Sequence, residues 1–181
     1  MIIKKDVYKQ FCGDLRKQHI KEIHNFFEEN MLMRALSHET KSSLCGKSFV
    51  RRYSANTKIL EQGCCTTHLY FIMKGGVKLM REIIKTGLGP MNLTPEYRRE
   101  FNIIRDEINL EIHTLYKGSQ FGDYEVLYKE AMKSSVVTII PTLLLSISIQ
   151  DLDRVLNHDE KQMLENNTDK PQSNEEIMEI F

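Results

Sequence analysis

No stretch of this 181-residue sequence approaches the run of about 18 apolar residues that a membrane-crossing helix needs, so no membrane span is expected. The opening residues, Met1-Ile2-Ile3-Lys4-Lys5-Asp6, lack the apolar segment of a secretory signal. Net charge is also missing, because 25 basic residues face 25 acidic ones. A nucleic-acid binder ordinarily carries a basic excess to neutralise phosphates, so no nucleic-acid partner is expected. The four cysteines, Cys12, Cys45, Cys64 and Cys65, contain no C-x-x-C spacing. They read as reduced thiols of a cytoplasmic protein. His19 and His24 are five apart, which does not stack them on one helix face, so no metal and no cofactor is expected. The motifs H-E-x-x-H, G-x-S-x-G and G-x-x-x-x-G-K-S/T are absent, and an enzyme is not expected.

What is present is ordinary globular composition, 41% hydrophobic and 28% charged, enough for one domain with a real core. Asp14 to Glu29 reads as a helix, with Ile20, Ile23 and Phe27 at intervals of three and four. Gln18, Lys21, Glu22 and Glu29 fall on its wet side. Ser37 is placed to cap a second helix through Leu44. From Ser48 the pattern changes to short strands punctuated by turns: Phe49-Val50, Ile59-Leu60, His68 to Met73, then Val77 to Leu79 after Gly75-Gly76. Ile108, Leu110 and Ile112 alternate with polar residues, and Gly118 and Gly122 bracket a further turn. Val136 to Ile140 and Leu143 to Ile149 complete about eight strands. Ser148-Ile-Gln-Asp151 has the capping-box pattern and opens a helix through Leu156. Asn166-Asn167-Thr168 and Pro171 suggest that order ends near there.

Three ordered stretches resemble the cyclic nucleotide-binding domain family. They are Ile59-Leu60-Glu61-Gln62-Gly63 followed by Leu69 to Leu79, then Leu115 to Asp123, and finally Leu143 to Ile147 with Asp151-Leu152. The resemblance runs from about Phe26 to Leu156. It implies an α+β fold, an eight-stranded antiparallel, jelly-roll-like β-roll flanked by N- and C-terminal helices. It also implies cAMP or cGMP as the ligand. The expected boundaries are an N-terminal helical extension at 1–25, the roll at 26–157 with an insertion at about 84–107, and a polar tail at 158–181, partly helical or disordered.

A cyclic phosphate calls for a guanidinium, backbone N–H donors and small side chains nearby. The resemblance assigns these tasks to a cassette of Phe121, Gly122, Asp123, Tyr124 and Glu125, then Met132, Lys133, Ser134 and Ser135. Phe121 and Gly122 fit the family pattern. Asp123 stands where glutamate is usual for the ribose hydroxyl, and serving as a helix N-cap is its alternative role. Glu125 places bulk and negative charge at the small-residue position, or is a solvated surface residue if nothing binds. Met132 falls at the arginine position, with Lys133 beside it and Ser134 and Ser135 following. Lysine lacks the bidentate fork of arginine, so binding is expected to be weak or lost. The lid helix of relatives corresponds to His158 to Asn166, with Met163-Leu164 its one apolar pair. Ile177-Met178 and Ile180-Phe181 are candidates for a later docking helix.

Residues from Thr94 to about Asp106 read as an added helix after a Lys85 to Pro90 loop. Tyr97, Phe101 and Ile104 form one stripe on it. That stripe packs on the domain, or with Arg98 and Arg99 it meets a protein partner. The resulting expectation is a non-enzymatic regulatory or signalling module. The alternatives are a working cAMP or cGMP sensor, using Asp123 and Lys133 and coupled to its C-terminal helix, and a cupin-like metalloenzyme using His68 and His113.

Overall fold

The computed structural model describes residues 5–86 and 105–180. Two helices lead into the strands, α1 (Lys5–Glu29) and α2 (His38–Lys47). Helix α1 buries Ile23, Phe26 and Phe27 and exposes Gln18, Lys21, Glu22 and Glu29, the division its periodicity predicts. The Ser37 side chain accepts from the Thr40 N–H and caps α2. Between the helices, Asn30 Oδ1 accepts from the Leu32 and Met33 N–H groups while its Nδ2 donates to the Gly118 carbonyl. One buried amide thus fixes the exit of α1 against the roll.

The roll comprises β1 (Phe49–Tyr53), β2 (Lys58–Leu60), β3 (His68–Lys74), β4 (Gly76–Thr86), β5 (Arg105–Tyr116), β6 (Gln120–Phe121), β7 (Ser135–Thr138) and β8 (Thr142–Ser148). A short helix, α3 (Asp123–Tyr128), lies between β6 and β7, and α4 (Ile149–Val155), α5 (His158–Asn166) and α6 (Asn174–Ile180) follow β8. The strands form two antiparallel four-stranded sheets, ordered β1-β8-β3-β6 and β2-β7-β4-β5, rather than a closed barrel. The expected α+β architecture, a roll flanked by helices, is what the chain adopts. Gly75 makes the β3–β4 turn possible. Its φ is +97°, and a Cβ there would lie 2.6 Å from Thr142 Oγ1 and 2.8 Å from the Pro141 carbonyl.

Two apolar cores result. One lies between the helices and the outer face of the first sheet, where Ile23, Phe27, Leu44, Phe71, Leu145, Ile147, Leu152 and Leu164 meet. Phe26 and Phe27 both pack edge-on against Phe71. The other fills the inside of the roll with Ile72, Val77, Phe121, Met132, Val136 and Leu144. The pleat explains the division, because neighbouring residues of β8 such as Leu144 and Leu145 point to opposite faces.

Several expectations change. Lys85 and Thr86, read as loop, belong to β4, and Arg105 and Asp106, read as the end of a helix, belong to β5. Part of the insertion is therefore a lengthened hairpin, paired from Gly76↔Tyr116 to Thr86↔Arg105 with a bulge at Leu79/Met80. The remaining candidate partner residues, Tyr97, Arg98, Arg99 and Phe101, lie outside the described residues. Ser148 caps α4 without a full box, since its Oγ accepts from the Asp151 N–H and donates to Asp151 Oδ2. The reciprocal box is at α5, between Asn157 and Glu160. Regular structure continues past Pro171 into α6, whose Ile177 is completely buried.

Among the described residues, no helix is long and apolar enough to cross a membrane. Cys45 is buried, which pushes its thiol up to about 11, while Cys64 and Cys65 are exposed.

Candidate functional site

Strand β6 ends at Phe121, and the chain turns sharply at Gly122, where φ is +76° and a Cβ would sit 3.2 Å from the His68 carbonyl. That turn starts α3 and aims its first residues at the mouth of the roll. Beside it, the chain entering β7 brings in Met132, Lys133 and Ser134. Together these two segments line a cavity of about 660 Å³. Phe121, Gly122, Asp123, Tyr124, Glu125, Met132, Lys133 and Ser134 all face it. Ser135 does not, because the strand alternates there and its Oγ accepts from the Gln62 N–H instead.

The chemistry of these side chains differs from the sequence reading in three places. Asp123 is the first residue of α3 rather than its cap, a position that Gly122 takes without a side-chain hydrogen bond. Burial raises the Asp123 carboxyl above its ordinary value, and the nearby Glu125 and Asp169 charges push the same way. Glu125, expected on a solvated surface if the pocket is unused, is only 6% exposed. The first turn of α3 rolls it inward together with Val126, and one of its oxygens accepts a long 3.5 Å hydrogen bond from the Lys133 N–H. Lys133, the fallback cation for a phosphate, is largely exposed, and its ammonium pairs with Glu130 at 3.0 Å. Met132 is 4% exposed and belongs to the inner core, as an apolar gap-filler should. Phe121, of the same core, stacks on Tyr70 with ring centres 5.1 Å apart and planes 6° from parallel.

The sequence reading missed the guanidinium of the cavity. Arg81 on β4 is 3% exposed and lines the pocket. Its Nε and Nη2 donate to Ser134 Oγ at 3.2 and 3.1 Å. Nη1 donates to the Gln172 carbonyl and, at 3.5 Å, to Asn174 Oδ1. Burial lowers the proton affinity of this guanidinium, and the Glu125 carboxylate opposes that effect. The signal was present in the strand, because Val77, Leu79, Arg81 and Ile83 share one parity and a single arginine interrupts an apolar face. The C-terminal segment was missed with it. Asp169, Lys170, Pro171 and Gln172 form part of the cavity wall, held by Arg81. The wall then carries three acidic groups, Asp123, Glu125 and Asp169, against three cations, Arg81, Lys133 and Lys170. This balance differs from that of a pocket built for an anion. His68 and His113, the cupin-type candidates, lie on strands of different sheets and join no described cluster of three metal-binding side chains.

No family model matches the sequence, and no curated protein matches it. Solved structures do. The regulatory domain of Toxoplasma gondii protein kinase A, solved with cAMP, is similar with a TM-score of 0.70 at 11% identity, covering 89% of this chain and 54% of that one. The regulatory subunit of a cAMP-independent protein kinase A from Trypanosoma cruzi, bound to guanosine, gives 0.63 at 13% identity, covering 90% and 49%. The corresponding Trypanosoma brucei subunit gives 0.64 at 15%, covering 92% and 53%. It was solved as a triple mutant with cAMP in its A site: one glutamate changed to alanine and, seven positions on, threonine to arginine and the next valine to alanine. The chain spans about half the length of these regulatory-subunit chains. Its fold is that of cyclic nucleotide-binding domains.

Proposed function

We propose that the protein is a non-enzymatic regulatory or interaction module on a cyclic nucleotide-binding fold, with recognition of the cyclic phosphate weak or lost. The observation that carries this reading is the pairing of Glu125 and Met132. A buried carboxylate, Glu125, stands in the cavity, and a buried thioether, Met132, lines it at the position that the family resemblance assigns to the phosphate-binding arginine. The one buried guanidinium described in the cavity, Arg81, directs its donors to Ser134, Gln172 and Asn174. An incoming phosphate would have to displace these acceptors and tolerate Glu125. The altered Trypanosoma brucei protein supports the reading. Glu125 and Met132 are seven positions apart, the same separation as the glutamate and threonine replaced in that cAMP-bound mutant.

The test is a thermal-shift titration with cAMP and cGMP to millimolar concentration, run on the natural sequence and on Glu125→Ala/Met132→Arg/Lys133→Ala. A ligand at 100 times its Kd stabilises by about 2.7 kcal/mol, which moves the midpoint by several degrees. The natural sequence is expected to show no saturable shift. The triple variant is expected to gain one, because a charge-assisted contact is worth about 2 kcal/mol or more and removing the carboxylate relieves repulsion. Together these correspond to roughly 100-fold in affinity. A saturable shift in the natural sequence, abolished by Asp123→Ala, would replace this reading with that of a cyclic nucleotide sensor.

A second reading is favoured by the same carboxylates. Asp123 and Glu125 are suited to accept from vicinal hydroxyls, and Phe121, whose ring stacks on Tyr70, lines the same cavity. An uncharged purine nucleoside meets those groups without needing a phosphate site, and the structurally similar Trypanosoma cruzi subunit was solved with guanosine. Guanosine and adenosine belong in the same titration. A shift with either that Asp123→Ala removes makes the module a nucleoside sensor.

A further inference from the structure

We propose that His24, Glu28 and His38 form a binding site for a divalent transition ion of the zinc class, which joins α1 to α2 away from the nucleotide-type pocket. His24 and Glu28 are one turn apart on α1, and His38 is the first residue of α2. One ligand atom from each lies within 4.8 Å of the others. His24 Nε2 is 4.0 Å from Glu28 Oε1, and the two imidazole rings are 5.0 Å apart, nearly edge to face.

A second observation points to a ligand. His24 Nε2 is buried and has no hydrogen-bond partner, and it is the sole buried side-chain nitrogen or oxygen in that condition among the described residues. Buried polar groups ordinarily find partners, and an orphaned lone pair or N–H on a ring calls for an explanation. A Lewis acid at this point supplies one. Two imidazoles and a carboxylate make the donor set of zinc and its neighbours rather than of calcium or magnesium, which prefer all-oxygen surroundings. Bonds of about 2.0–2.2 Å in a tetrahedron place donor atoms roughly 3.3–3.6 Å apart. The cluster must therefore contract by up to about 1.5 Å from its 4.8 Å spread, through the exposed side chains of His38 and Glu28. The fourth position is left to water.

Lys41 is the built-in competitor. Its ammonium lies 2.8 Å from Glu28 Oε1 and also donates to the Arg34 carbonyl at 3.3 Å. Metal must share Glu28 with this cation, which sets the expected affinity in the micromolar range rather than the range of a closed structural zinc site. The consequence of occupancy is mechanical. The ion would tie the helix that enters the domain to the helix that packs on the roll, adding a cross-link to a contact now made by side-chain packing and one ion pair.

The experiment titrates the full chain with Zn²⁺ and with Co²⁺, following heat for the first and the visible absorption of tetrahedral cobalt for the second. Mg²⁺ is the control. Cys64→Ser/Cys65→Ser is the background, because those exposed thiols are competing zinc ligands. One equivalent of either transition ion is expected to bind, with a tetrahedral cobalt spectrum. His38→Ala, at an exposed position, is expected to weaken binding at least about tenfold, as is Glu28→Gln. Lys41→Met is expected to tighten binding several-fold. The proposal is overturned if no saturable binding occurs at submillimolar metal, or if binding survives His38→Ala and His24→Ala undiminished. Neither result bears on the nucleotide-type pocket, which shares no residue with this cluster.

Discussion

Glu125 and Glu160 are buried to nearly the same degree, at 6% and 8% exposure, and they do opposite things. Glu160 accepts from the Ser37 N–H, the Asn157 N–H and the Thr40 hydroxyl, so one carboxylate joins the starts of α2 and α5. Glu125 has one long hydrogen bond among the described residues, and otherwise faces a cavity. On the helical side of the molecule, buried charge is consumed by architecture. On the pocket side the Glu125 carboxylate is left facing open space, beside a guanidinium whose donors are engaged elsewhere. A group that is satisfied within the fold reports on stability, and one that is not reports on binding.

The sharpest way to break this comparison is at Arg81. Its charged hydrogen bonds hold the 167–173 strap against the roll, and Arg81→Ala is expected to cost about 3 kcal/mol, combining lost charge-assisted bonds with lost packing. Limited proteolysis between Asn167 and Ser173 should accelerate in step. An unchanged cleavage rate would mean that α6 alone holds the strap.

A smaller loss is expected at Glu160. Replacement by alanine strands three donors, at a cost of about 2 kcal/mol in urea denaturation. Burial opposes the charged form of Glu160, yet the donors from Ser37, Asn157 and Thr40 outweigh it and hold the carboxyl below its usual range. The folded-state value is therefore the depressed one. The stability it lends is present above the unfolded value and is lost as pH falls through the folded one, so the natural sequence weakens in that acid window and Glu160→Ala does not.

The smallest effect has the other sign. Burial raises the Asp123 carboxyl, so the native state holds its proton more tightly than the unfolded chain. Stability then falls as pH rises from the ordinary aspartate range through the raised value. Asp123→Asn should be slightly more stable than the natural sequence at neutral pH, with that slope removed. A destabilised Asp123→Asn would place Asp123 with Glu160 on the architectural side.

The helices and the roll were legible because their signals are local. The spacing of Ile20, Ile23 and Phe27, the Ser37 cap and the alternation from Leu143 to Ile149 each depend on a few neighbouring residues. The cassette segment was legible through Phe121, Gly122 and the small residues after Met132, and eight of its nine candidates line one cavity. What could not be read is what distant segments bring. Arg81 and Gln172 are 91 positions apart, and Glu160 and Ser37 are 123 apart. The inward turn of Glu125 depends on how α3 docks, which no charge pattern along the chain encodes. His24 and His38 lie on different helices and meet only because the chain reverses between α1 and α2.

The pairing of β1 with β8 has a consequence for the birth of the molecule. Phe49 lies opposite Ser146, and Tyr53 opposite Thr142, so the first strand of the roll takes the last as its neighbour. On a ribosome, β1 emerges long before its partner exists, and loop-closure entropy must be met before this contact returns anything. The long β4–β5 hairpin can zip early, since its strands are consecutive. The sheet that carries Phe71 cannot close until residue 148 is free of the exit tunnel, so the helical core waits as well. Completion is thus a late event gated by translation, and the Arg81 strap, arriving later still, seals a pocket whose walls are already standing.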